Sequence, residues 1–173
     1  RLVDIMKAND FGPVSEEDIE KYYMDKTEIG NIRGYCDLVL RKRNNPDDIF
    51  IVDIKPSRDK YLSQVKEGRA IQLACYSRVA DSEWPPTGFF VVETGDLFTC
   101  HGPEVIKDAY YLQAPRDEKQ TWEVFKEEVK KVRKDLKAGI INFGDEWKDD
   151  PEFQPAECRY CEFKDFCGID LRE

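Results

Sequence analysis

The sequence predicts an α/β fold, and three patterns carry that prediction. Residues 32–41 and 49–55 are rich in Val, Ile, Leu, Phe and Tyr, and the Asn, Pro and Asp residues at 44–48 between them favour a turn. We therefore expect an antiparallel hairpin. Residues 60–80 carry a stripe at helical spacing, and residues 88–93 (GFFVVE) form the near-continuous apolar run of a strand buried in a sheet.

The other elements follow from local signals. We expect a short helix, a strand leading into the hairpin, a strand after the buried one and a long amphipathic helix, at residues 2–8, 19–26, 97–101 and 117–138. The apolar stripe of the long helix, from Trp122 to Leu136, is predicted to face the core. Residues 1–139 would form one domain, and residues 140–173 a cysteine-rich tail packed on that domain.

Length and composition fit one globular domain with a sizeable core. The chain has 173 residues, of which 40% are hydrophobic and 36% charged. It has no apolar run of about 18 residues, the length of a membrane span, and no secretory signal. We therefore expect a cytoplasmic protein without membrane contacts. Because the chain begins at Arg1, we also expect it to be a fragment of a larger protein.

The net charge of −9 argues against a general nucleic-acid-binding surface. The charge is unevenly spread, however, since residues 33–78 contain ten Lys and Arg against six Asp and Glu. If this segment carries a site for a phosphate backbone, its positive charge would favour binding there. Chance scatter of surface charges would give the same distribution.

A charged cluster is predicted at the end of the hairpin. Asp53 and Lys55 are two residues apart and share one face of their strand, Asp37 lies on the partner strand, and Pro56 ends the second strand. Two carboxylates on adjacent strands suit Mg²⁺ or Mn²⁺, and a neighbouring lysine can stabilise charge that develops during a reaction. The alternative is a buried Asp–Lys ion pair at a sheet edge.

The helix predicted at residues 60–80 supports the first interpretation. Its stripe has apolar ends and a polar middle, and consists of Leu62, Val65, Arg69, Gln72, Tyr76 and Val79. Polar groups in the centre of a packing face need partners there. The charged cluster would supply them.

Three motifs in order resemble the PD-(D/E)XK nuclease superfamily, and their spacing is similar to its RecB-like branch. They are G-x-x-D at 34–37, D-I-K at 53–55 and Q-x-x-x-Y at 72–76. The resemblance implies a restriction-endonuclease-like core, in which helices flank a mixed central β-sheet, and a Mg²⁺- or Mn²⁺-dependent phosphodiesterase site. It implies metal binding by Asp37, Asp53 and the Ile54 carbonyl. Lys55 would be the catalytic lysine, and Gln72 and Tyr76 would help to hold the site and DNA.

The tail contains three closely spaced cysteines, Cys158, Cys161 and Cys167. The spacing C-x2-C-x5-C puts three thiolates within reach of one metal centre, and Cys100 or His101 could serve as a fourth ligand. A disulfide is the weaker alternative, because nothing in the sequence indicates export. The tail is also similar to the C-terminal cysteines of AddB-type and CRISPR-associated iron–sulfur nucleases. That resemblance implies a [4Fe–4S] cluster in the intact protein, with a zinc site as the alternative.

The function expected from these patterns is metal-dependent cleavage of DNA, with exonuclease or end-processing action on single strands or duplex ends. A helicase or another repair or recombination protein is an expected partner. The second hypothesis is a nucleic-acid-binding domain of the same fold that has lost cleavage. A third is a structural α/β domain with a zinc knuckle.

Overall fold

The computed structural model describes residues 1–13, 15–80 and 83–140. The chain divides into two units, Arg1–Lys130 and Lys131–Glu173. Of the second unit, the described residues are the end of the last helix and those up to Ile140. The three tail cysteines lie outside the described residues, and so does most of the predicted tail. The predicted boundary at residue 139 therefore stays a prediction.

The described chain runs from a short helix through two groups of strands, separated by a helix pair, to a long helix. The α-helices are α1 (Leu2–Ala8), α2 (Asp59–Lys66), α3 (Ile71–Val79) and α4 (Glu118–Lys137), and Glu16–Asp18 forms a single 3-10 turn. The strands are β1 (Phe11–Gly12), β2 (Ile19–Thr27), β3 (Gly30–Lys42), β4 (Asn45–Lys55), β5 (Thr87–Val91), β6 (Asp96–Thr99) and β7 (Tyr110–Tyr111). Within the described residues, no helix is both long enough and apolar enough to cross a bilayer.

The strands form one mixed sheet. Its order is β1-β3-β4-β5-β6-β7, and β2 pairs with β3 outside that path. The pairs β4–β5 and β6–β7 are parallel, and the other pairs are antiparallel. This mixed sheet with flanking helices confirms the predicted α/β class and is consistent with a restriction-endonuclease-like core.

The core lies on both faces of β3 and β4, because successive side chains point to opposite faces of a strand. One set of buried side chains packs against Ile5 of α1 and includes Leu38, Leu40, Phe50 and Val52. The other set faces α3 and includes Val39, Ile49 and Ile51, with Tyr76 and Val79 packed against it. The α3 face is the one that carries Asp53.

The helix predicted at residues 60–80 is divided into α2 and α3, so the prediction of one continuous helix is wrong. Gly68 has a φ of +63°, its N–H bonds to the Val65 carbonyl, and the Arg69 N–H bonds to the Gln64 carbonyl at 2.7 Å. These two bonds end α2 in a Schellman motif. Arg69 therefore leaves the predicted face and forms an exposed ion pair with Glu67.

Two other predictions need correction. The hairpin turn is shorter than residues 44–48, because β4 already begins at Asn45, which pairs with Lys42. The register shifts beside that pair, so the residues expected in the turn form an irregularity within β4. In α4, Trp122 is buried, but Val132 and Leu136 are 52% and 57% exposed. Only the first part of the predicted stripe faces the core.

Candidate active site

The candidate site lies where β3 and β4 part. Their ladder ends at the pair Leu38–Val52. One position further along, the Ile54 N–H donates a 2.6 Å hydrogen bond to Asp37 Oδ2 instead of to a strand carbonyl. The carboxylate thus satisfies the backbone where the ladder stops, and Asp37 is fixed next to the end of β4.

Asp53 is the buried acid of the site. It is only 1% exposed, and Lys55 Nζ lies 2.6 Å from its Oδ2 atom. The same ammonium donates a 2.9 Å hydrogen bond to Gln72 Oε1 and lies 5.0 Å from the centre of the Tyr61 ring. The Asp–Lys ion pair that was the alternative interpretation is therefore present, but it is part of a larger arrangement.

A chain of hydrogen bonds connects Lys55 to α3 and β3. Gln72 Nε2 donates to the Tyr76 hydroxyl at 2.9 Å, and that hydroxyl donates to the Tyr35 carbonyl at 2.6 Å. Because Gln72 and Tyr76 are four residues apart, they lie on one side of α3. The structure thus brings together the five side chains predicted for the site, although the helix that was to present two of them is broken.

Burial and a neighbouring like charge act together on Asp53. Burial raises the pKa of Asp53, the neighbouring Asp37 charge raises it further, and Lys55 opposes both effects. Burial also raises the pKa of the Tyr76 hydroxyl, which therefore remains protonated and able to donate. A second cation beside the two carboxylates would relieve the repulsion between them.

The residues present fit a hard divalent cation. Asp53 Oδ2 is buried and has no partner with hydrogen-bond geometry among the described residues, although Lys55 is close. The Ile54 N–H points at Asp37, and the carbonyl of a strand residue points to the same side as its N–H, so the Ile54 carbonyl also faces that side. Two carboxylates and a carbonyl are the oxygen donors that Mg²⁺ and Mn²⁺ take.

A second polar cluster lies at the opposite end of β5. His101 Nε2 and Glu118 Oε1 are 2.8 Å apart, Thr87 Oγ1 donates to the same oxygen at 2.5 Å, and Cys100 Sγ lies 3.9 Å from it. Cys100 and His101 are candidate ligands in the sequence, but no pattern there marks Glu118. No local spacing links Glu118 to them, because it lies 17 residues beyond His101 on a different element.

A comparison with known families identifies the superfamily of this chain. The family model of the PD-(D/E)XK nuclease superfamily matches residues 4–168. The chain belongs to the PD-(D/E)XK nuclease superfamily. No curated protein and no solved structure matches the chain significantly. Membership in this superfamily indicates nuclease activity, for which a divalent metal ion is typical, and a nucleic acid as substrate.

Proposed function

We propose that the protein is a metal-dependent deoxyribonuclease that hydrolyses phosphodiester bonds at the Asp37–Asp53–Lys55 site. The observation that carries this proposal is the convergence of the three side chains where the β3–β4 ladder ends. A lysine held only as the partner of a buried acid would not need a second carboxylate beside it. Family membership supports the same reaction class.

Asp37, Asp53 and the Ile54 carbonyl would hold Mg²⁺ or Mn²⁺. When bound, such an ion polarises a phosphodiester and lowers the pKa of a water molecule. Lys55 contributes a fixed positive charge, placed to orient a nucleophile or to stabilise negative charge that develops on the phosphate. Gln72 restrains the lysine head group through its 2.9 Å hydrogen bond, and Tyr76 restrains Gln72 in turn.

The surface next to the site supports DNA as substrate. Arg58, Lys60 and Lys66 are exposed on and beside α2, which begins four residues after Lys55. Positive side chains so close to the site would attract a phosphate backbone, despite the overall charge of −9. We propose exonuclease action in the service of DNA repair or recombination, with a helicase as the kind of partner that would deliver a strand.

Cleavage of labelled DNA tests this function. Linear single-stranded DNA, linear duplex, closed circular DNA and an RNA of the same sequence would each be incubated with Mg²⁺, Mn²⁺ or EDTA. We expect the two linear DNAs to be degraded only with metal, and Asp53→Asn to abolish the reaction. Asp48→Asn is the matched control, because Asp48 lies on the same strand and pairs with Lys42 away from the site. Degradation of circular DNA would replace the exonuclease assignment with an endonuclease.

A cleavage-deficient nucleic-acid-binding domain is the second candidate. It is favoured by the contact between Lys55 and Asp53, which already neutralises the buried acid without a metal ion. Gel shifts in EDTA separate the two candidates. Binding of DNA without any cleavage in Mg²⁺ or Mn²⁺ would support the second and overturn the first.

For the tail we propose a structural [4Fe–4S] cluster with Cys158, Cys161 and Cys167 as ligands, and zinc as the alternative metal. Thiolates gathered at this spacing repel one another unless a cation neutralises them. Iron and zinc would be measured after anaerobic purification of the full-length protein. Cys161→Ser should lower the iron content, whereas Cys75→Ser should not. If the protein contained zinc and no iron, the tail would hold a zinc site and not an iron–sulfur cluster.

A further inference from the structure

The cluster of Cys100, His101 and Glu118 has no part in the proposed nuclease chemistry. One ligand atom from each residue, a sulfur, a ring nitrogen and a carboxylate oxygen, lies within 4.8 Å of the other two. Glu118 is 8% exposed, and the His101 side chain is 22% exposed. Three different metal-binding groups are thus gathered at one half-buried point.

The fold holds these groups in place from three elements. Cys100 and His101 directly follow β6, and Glu118 opens α4. Thr99 Oγ1 donates to the Thr87 carbonyl at 2.7 Å and accepts the His101 N–H at 3.1 Å, so the chain is fixed on the N-terminal side of His101. Thr87 Oγ1 also orients Glu118. Hydrogen bonds behind the ligands are typical of metal sites.

An ordinary buried ion pair would explain two of the three residues. Burial opposes the charged ring, but Cys100 and Glu118 outweigh it and raise the pKa of His101 to about 10, so His101 can donate its proton to Glu118. The ion pair itself joins His101 to Glu118, and Cys100 adds a third metal-binding group beside them. Cys100 and Glu118 also border a small cavity that is lined further by Gly68, Leu73 and Thr121, which leaves space beside the ligands.

We propose that Cys100, His101 and Glu118 bind one Zn²⁺ ion. Thiolate, imidazole and carboxylate are the three protein ligands that zinc takes, and a set of three leaves a fourth position for water from the cavity. Zinc coordinates a thiolate sulfur and a neutral imidazole nitrogen, so its binding would be coupled to proton release.

The proposed ion lies apart from the nuclease site. Thr87 pairs with Ile51, and Lys55 pairs with Val91 four residues further along β4 and β5. At about 3.3 Å per residue, the two sites lie roughly 13 Å apart along the sheet. The zinc ion would join the end of β6 to the start of α4. The inference does not depend on the nuclease assignment.

Zinc titration tests the proposal. The protein used is the full-length chain with Cys158→Ser, Cys161→Ser and Cys167→Ser, called the serine background, because these substitutions remove the tail thiolates. After dialysis against EDTA, we expect one equivalent of Zn²⁺ to bind and to raise Tm. With Co²⁺ as the probe, thiolate-to-metal charge-transfer absorption should appear. Cys100→Ser and His101→Gln should each abolish the absorption or weaken binding at least about 10-fold. Cys75→Ser is the matched control and should change neither.

A second measurement tests the same proposal if the serine background does not fold well. In the chain with its own tail cysteines, the double variant Cys100→Ser and His101→Gln should contain one zinc equivalent less than the parent after reconstitution. Equal zinc contents in the two proteins would overturn the proposal. The proposal would also be overturned if the serine background bound zinc and neither Cys100→Ser nor His101→Gln weakened that binding. Failure of DNA cleavage would have no bearing on either result.

Discussion

Replacing Lys55 by Met is expected to destabilise the metal-free protein, and adding Asp53→Asn is expected to restore most of the loss. The Lys55 side chain is 13% exposed, Asp53 is 1% exposed, and their charged atoms lie 2.6 Å apart. Removal of the lysine leaves a buried carboxylate beside the charge of Asp37. Removal of both charges leaves neutral groups of similar size.

The size of the effect follows from the burial of the pair. Breaking a buried ion pair from one side costs about 3–5 kcal/mol in the free energy of unfolding. Asp53 can escape part of this cost by binding a proton, since burial already raises its pKa. We therefore expect about 3 kcal/mol, the lower end of the range. For a domain of this length, this corresponds to a decrease in Tm of roughly 6–12 °C.

Urea unfolding in EDTA at pH 8 measures this difference. Lys42→Met is the matched control, because its ion pair with Asp48 is partly exposed and should contribute less than about 1 kcal/mol. If Lys55→Met were as stable as Lys42→Met, Asp53 would not depend on the lysine. If the double variant were no more stable than Lys55→Met, the loss would come from the lysine's packing and not from the uncompensated charge.

Three further predictions address other parts of the structure. Gln72→Ala should slow cleavage of labelled DNA about 10–100-fold while Tm changes little, because Gln72 positions Lys55 without burying apolar surface. Gly88→Ala would place a Cβ 2.9 Å from the Phe98 carbonyl oxygen and should lower stability by about 1–3 kcal/mol in urea, whereas Gly12→Ala meets nothing within 4 Å and should not. Burial raises the pKa of Cys75 to about 11, so at pH 8 mass spectrometry should find it alkylated slowly until the protein is unfolded.

The geometry of the site could be predicted because it depends on strand periodicity. Residues two apart on β4 share a face, so Asp53 and Lys55 had to lie together, on the face covered by α3. The hairpin then placed Asp37 next to the end of β4. These contacts follow from alternation and from one tight turn. The predicted contacts are correct although the predicted turn boundary is not, because apolar residues set the β3–β4 register, including the pair Leu38–Val52.

The break between α2 and α3 could not be predicted from the stripe alone. A short αL interruption at Gly68 leaves apolar and polar residues at similar spacings on either side, so periodicity continues across it. The available signal was the glycine itself, which is favoured after the last turn of a helix. Glu118 could not be placed either, since a contact between a strand end and a later helix has no period in the sequence.

Asp37 lies where the end of the β3–β4 ladder meets the proposed metal site. Its Oδ2 atom accepts the Ile54 N–H, a role that a strand carbonyl would otherwise take. A carboxylate has a second oxygen, so Asp37 can accept this hydrogen bond and still offer an oxygen atom to a metal ion. The bond also fixes the orientation of that oxygen atom before any ligand arrives, and it turns the Ile54 backbone toward the same side. The interaction that satisfies the backbone where β3 and β4 separate would therefore also orient the oxygen ligands of the proposed metal site.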